Sequence, residues 1–147
     1  MASATDLAIA VTGELNGHGF ALDFTALYAF RPVYSLEELA TLKVTSVPRV
    51  RLKEQFARGV HKITNVIDVA IQKQVDATDL ADQGSLSDLA DEVVDFFMEH
   101  TFTAGDPAEN VCSLKVSRET ICNPEMDAAG YFMAIISMEF MHYENAS

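Results

Sequence analysis

The sequence predicts an α+β fold, a mainly antiparallel β-sheet with helices packed on one face. Three observations carry that prediction. Ile63, Ile67, Val69, Ile71 and Val75 fall on one parity, with Thr64, Asp68, Gln72 and Gln74 on the other, the period-2 signature of a half-buried strand. Beyond a polar link, Leu86, Leu89, Ala90, Val93, Phe96 and Phe97 recur at helical spacing. Tyr131–Met141 is apolar on both parities, as in a strand covered twice or set against a partner.

Taken in order, residues 3–16 read as a helix capped by Thr5, with an apolar stripe of Leu7, Ala8, Val11 and Leu15. Asn16-Gly17-His18-Gly19 closes it, glycine serving as a left-handed C-cap. Phe20, Leu22, Phe24, Ala26, Tyr28 and Phe30 then alternate along a long strand stopped by Pro32. Ser35 and Glu38 have capping-box spacing at a short helical turn. Lys43–Val47 reads as a short strand ending at Pro48, and 49–62 as an exposed basic loop or flexible hairpin. The acidic helix occupies 85–99, and a turn-rich linker holds Gly105-Asp106-Pro107. Cys112, Leu114 and Val116 mark one more strand, broken by Asn123-Pro124-Glu125, before the last strand.

The chain has 147 residues, 49% hydrophobic and 22% charged, which fits one globular domain over 1–147. Its net charge of −12 argues against general nucleic-acid binding. The N-terminus lacks the basic and apolar regions of a signal peptide, and no apolar run is long enough to span a membrane. Cys112 and Cys122 read as reduced, packed thiols; neither belongs to a CxxC or Cys/His cluster.

Candidate chemistry is sparse. His18, His61, His100 and His142 lie in no recognisable catalytic motif, and none of GxGxxG, GxxxxGK[ST], HExxH or GxSxG occurs. Asp88, Glu92 and Asp95 share a helix face without a histidine, a poor metal site. The expectation is therefore no enzyme, no cofactor and no metal.

Charge polarity is the stronger signal. From Asp76 to Glu109 there are ten acids and no Lys or Arg, whereas Lys43–Lys62 holds six bases and one acid. Asp88–Glu92, Asp91–Asp95 and Asp95–Glu99 set like charges four apart on one helix, each pair costing about 0.2–0.5 kcal/mol. A basic surface formed by Arg49, Arg51, Lys53, Arg58 and Lys62 is the expected relief for Asp88, Asp91, Glu92, Asp95 and Glu99. The contact would lie within one chain or between copies, where a heterologous contact can close a ring.

The residue order Phe30-Arg31-Pro32-x-Tyr34, Leu36-Glu37-Glu38-Leu39, Leu42-x-Val44-x-x-Val47-Pro48 carries a resemblance. It continues through Arg58, Ile67-x-Val69-Ala70-Ile71-Gln72-Lys73, the helix with Leu86, Leu89 and Val93, and a closing Phe-rich strand. Over residues 20–143 this resembles the tail terminator and neck proteins of long-tailed bacteriophages and related tail-like particles. The resemblance implies a virion protein, assembled in the host cytoplasm, that forms a ring, usually a hexamer, on the head-proximal end of the tail tube. Its implied partners are other copies of itself, the tube protein and a head-completion or connector protein. Genome DNA would pass through the channel without specific binding, and no membrane is involved. The alternatives are a head-closure or connector adaptor, a tail-completion protein, or an unrelated ligand-binding α+β domain. The long N-terminal helical lead and the base-free 76–109 segment depart from the family pattern.

Overall fold

A computed structural model describes residues 3–35, 37–75, 80–98, 112–118 and 130–145. Those residues form an α+β fold around one five-stranded sheet. The strands are β1 (Ala26–Tyr28), β2 (Lys43–Ala57), β3 (Val60–Gln74), β4 (Cys112–Arg118) and β5 (Tyr131–Asn145). Their spatial order is β1-β2-β3-β5-β4, with β1 parallel to β2 and every other pairing antiparallel. Helix α1 spans Ala4–Gly17 and α2 spans Leu80–Phe97.

Both helices cover the same sheet face. Leu7, Val11 and Leu15 of α1 and Leu86, Leu89, Val93 and Phe97 of α2 share one core cluster with Val44, Ile67, Val69, Ile71, Ile136 and Met138. Register puts these strand residues side by side: Val69 opposes Ile136, and Ile67 opposes Met138. Strand β5 is interior to the sheet and runs on to Asn145. Its even residues from Phe132 to His142 are buried, whereas its odd face stays partly open, notably at Ile135 and Tyr143.

Several sequence boundaries move, each for a physical reason. The cap of α1 is Ser3, not Thr5: Ser3 Oγ accepts from the Asp6 amide (3.0 Å) and Asp6 Oδ2 from the Ser3 amide (3.1 Å). These hydrogen bonds hold the Asp6 carboxyl below its usual range. No left-handed glycine closes this helix; its C-cap, His18, is extended, and the His18 amide donates to the Glu14 carbonyl. Helix α2 begins at least five residues before Ser85, whose hydroxyl donates back to the Ala81 carbonyl (3.0 Å) from inside the helix.

The long strand expected over 20–31 shrinks to Ala26–Tyr28. Phe20, Leu22 and Phe24 pack against the core, so their alternation marks side-chain packing without a hydrogen-bonded neighbour. Asn16 fixes where the strand starts, its Oδ1 accepting from the Ala26 amide (2.7 Å) and its Nδ2 donating to the Ala26 carbonyl (3.2 Å). The following connector crosses the face opposite the helices. There the Pro32 carbonyl accepts from Gln72 Nε2 (3.1 Å), and the Tyr34 and Thr45 hydroxyls lie 2.8 Å apart. The Ser35–Glu38 box forms as its spacing predicts, and Leu39 beside it is buried.

The largest correction concerns β2. Pro48 does not end it, because β1 pairs only with Val44–Ser46 and the outer edge at Pro48 needs no donor. A bulge at Arg49 follows, and the strand continues to Ala57. Of the loop or hairpin expected over 49–62, the hairpin is what forms: these residues are its far half, turning at Arg58-Gly59, where Gly59 takes φ +76°.

Candidate assembly surface

The β2–β3 hairpin, backed by the end of β5, forms a three-stranded arm. Every residue of β2 from Arg49 to Ala57 is exposed, as are the turn residues Arg58 and Gly59. Beyond Ser46 no strand covers the outer edge of β2 among the described residues.

The two faces of the arm differ. The face continuous with the helix side carries Arg51, Asn65, Lys53, Ile63, His142 and Glu144 in adjacent register positions. Glu144 is its hub: His142 Nε2 lies 3.1 Å from one carboxylate oxygen, Arg51 Nη2 3.5 Å, and Lys53 Nζ 4.0 Å from the other oxygen. The His142 hydrogen bond first, with the positive charges of Arg51 and Lys53 adding to it, holds the Glu144 carboxyl below its ordinary range against the opposing effect of burial. The opposite face is mainly apolar and exposed, with Val50 at 42%, Leu52 at 50%, Phe56 at 63% and Tyr143 at 49% of full exposure, and with Glu54 between Leu52 and Phe56, opposite Lys62 in register. The Phe56 and Tyr143 rings pack at 4.9 Å between centroids, and Lys62 sits opposite Tyr143 in register.

The five basic residues singled out in the sequence are thus split. Arg49 is bound at 2.7 Å to Asp68 of its own sheet, and Asp68 also accepts from Ser137 (2.8 Å). Arg51 and Lys53 share Glu144. Arg58 and Lys62 have no ion-pair partner among the described residues, and they flank the apolar face.

The acidic helix is split in the same way. Asp88, Asp91, Asp95 and Met98 recur at intervals of three and four and are all exposed, one outward stripe. Glu92 turns inward, accepting from the Ala21 amide (3.2 Å) beside the His18–Phe20–Phe96 ring cluster. Asp91 meets Arg118 of β4 (3.4 Å), and Asp82 meets Lys73 of β3 (3.2 Å). Helix charge is therefore relieved in part by bases outside the basic segment, and none of these pairs joins the arm to α2. Asp88 and Asp95 have no ion-pair partner among the described residues. Glu99, His100, Asp76, Asp79, Cys122, the 101–110 linker and the break at Asn123-Pro124-Glu125 lie outside them, and of Cys112 only the backbone is described.

Sequence reasoning misses Phe56, Tyr143, Glu144 and Asp68. A lone phenylalanine inside a basic segment is the available signal for the first. The other three depend on cross-strand register, which no local pattern carries.

Two grooves complete the surface. One, about 520 Å³, is lined by Pro32, Val33, Tyr34, Leu39, Gln72, Tyr131 and Met133. The other, about 460 Å³, is lined by residues 23–25, Leu27 and Thr41–Lys43. The first lining holds no charged side chain, and the second holds Asp23 and Lys43 beside Thr25 and Thr41. No group of three His, Cys, Asp or Glu side chains converges as for a metal among the described residues. No helix among them is long and apolar enough to cross a membrane. No protein-family model matches the chain, and no curated protein matches it either.

Proposed function

We propose that the chain is a ring-forming tail terminator of a phage tail or tail-like particle. It would cap the head-proximal end of the tail tube, stop tube polymerisation and offer the surface to which the head docks. The observation that carries the reading is the arm: a hairpin and strand end with an exposed apolar face and unpaired bases near its turn. Monomeric proteins rarely keep such a face uncovered, and an arm of this kind suits a heterologous contact that closes into a ring. Residue order over 20–143 supports the same reading. In this role the chain is structural, with its own copies, the tube protein and a head-completion or connector protein as partners, and DNA passing without specific recognition.

Electron micrographs of tails assembled with and without the protein test the proposal. Tubes should be over-long when it is absent and of uniform length, with the protein at one end, when it is present. Equal lengths in both preparations would refute it. Binding to purified portal complexes in preference to tube ends would assign the chain to head closure instead.

A further inference from the structure

We infer that the turn end of the arm seats on the outer stripe of α2 in a second copy of this chain, through its apolar face and its two unpaired bases. This rests on the ring reading and names the surfaces that would close the ring. Fully buried aromatic side chains cover about 150–250 Å² each. At the exposures seen, Val50, Leu52, Phe56 and Tyr143 together present on the order of 300–400 Å² of apolar surface. A standard interface covers about 800 Å² per partner, so this patch has the size of an interface centre, and the flanking charges form a rim.

Charge identifies the occupant. Arg49, Arg51 and Lys53 are engaged with Asp68 and Glu144 of their own chain, which leaves Arg58 and Lys62 as the bases available for a partner. The acids available on α2 are Asp88 and Asp95, with Asp91 shared with Arg118, and the exposed Met98 ends the same stripe. Apolar surface and charge thus complement each other: Arg58 and Lys62 with Phe56 on one side, Asp88 and Asp95 with Met98 on the other. Aromatic residues at the centre of such a contact carry a disproportionate share of its affinity.

Complementation between two variants of the full chain tests this. The first carries Arg58→Glu and Lys62→Glu, the second Asp88→Lys and Asp95→Lys; none of the four positions has an ion pair to lose among the described residues. Each variant alone should self-associate about tenfold more weakly than wild type by light scattering, with unchanged circular dichroism. Mixing them should restore assembly, because the reversed arm fits the reversed helix and the native arm fits the native helix. A contact within one chain predicts no rescue on mixing. Phe56→Ala should weaken association by a similar factor with no change in melting temperature. Failure of the mixture to assemble, or a wild-type chain that stays monomeric both alone and with tube protein, overturns the inference. Tube length separates this contact from the role it serves. If the mixture fails while wild type still sets tube length, the contact is wrong and termination stands; if wild type does not set tube length, termination itself falls.

Discussion

Replacing Glu144 strikes the hub that ties β5 to the outer strand of the arm. The imidazole of His142 is 6% exposed and the Glu144 side chain 11%. Glu144→Ala leaves both nitrogens of this buried ring without a partner, since Nδ1 already has none. An unsatisfied buried polar group costs about 1–3 kcal/mol. The longer pairs to Arg51 and Lys53, whose side chains are more open to water, add about 0.2–1 kcal/mol together. The expected loss is about 2–3 kcal/mol for Glu144→Ala. It should be nearer 1 kcal/mol, on the order of one hydrogen bond, for Glu144→Gln, whose amide oxygen still accepts from the imidazole. Chemical denaturation at neutral pH reads the global loss, and amide exchange over Arg49–Ala57 should quicken most. The sign of the pH dependence follows from the depressed carboxyl. Because the folded chain binds this proton less readily than the unfolded one, the stabilisation is complete above the ordinary glutamate pKa. It disappears as pH falls through the lower folded value. Glu144→Gln should therefore flatten the acid limb of the stability curve. A change under about 0.5 kcal/mol for Glu144→Ala, with unaltered exchange, would refute the hub.

Phe97→Ala empties a fully buried site between α2 and the sheet and should cost about 3–5 kcal/mol in denaturant melts. Asn16→Ala removes both hydrogen bonds to Ala26 and should cost about 1–2 kcal/mol, with the Ala26 amide losing protection from exchange. In Gly59→Val the new Cβ meets no atom within 4 Å, so the effect is the strain of a β-branched residue at φ +76°, about 1–3 kcal/mol of hairpin stability in the same melts. Charge reversal at Arg49, Arg51 and Lys53 breaks pairs inside the subunit. It should lower melting temperature as well as assembly, whereas reversal at Arg58 should alter assembly alone.

The core of the fold is legible because its signals are local. The alternation of Ile67, Val69 and Ile71 along β3 follows from that element's own periodicity, as does the apolar stripe of α2. The arm is harder to read because the bulge at Arg49 interrupts the alternation of β2, so one strand reads as a short strand followed by a loop or flexible hairpin. The aromatic run over Phe20–Phe30 misleads in the opposite direction. Its alternation reflects packing against the core, while Asn16 and the start of β2 at Lys43 decide how little of it pairs. At the candidate site, the basic and acidic segments are visible in the sequence. The division into paired and unpaired charges is not, since Asp68 and Glu144 reach Arg49, Arg51 and Lys53 only through register across the sheet.

The bulge at Arg49 also acts as a phase switch. Before it, the even residues Val44 and Ser46 look toward the helices; after it, the odd residues Arg51 and Lys53 do. One continuous strand therefore obeys two opposite patterns of tolerated substitution. Were Arg49 drawn into regular pairing, every residue beyond it would turn over, carrying Leu52 to the charged side and Arg51 and Lys53 to the apolar one. Excising Arg49 altogether would instead smooth the strand and leave both faces as they are. The arm thus tolerates the loss of one residue at that point, at the cost of the Arg49–Asp68 ion pair, whereas regular pairing at unchanged length exchanges its two faces.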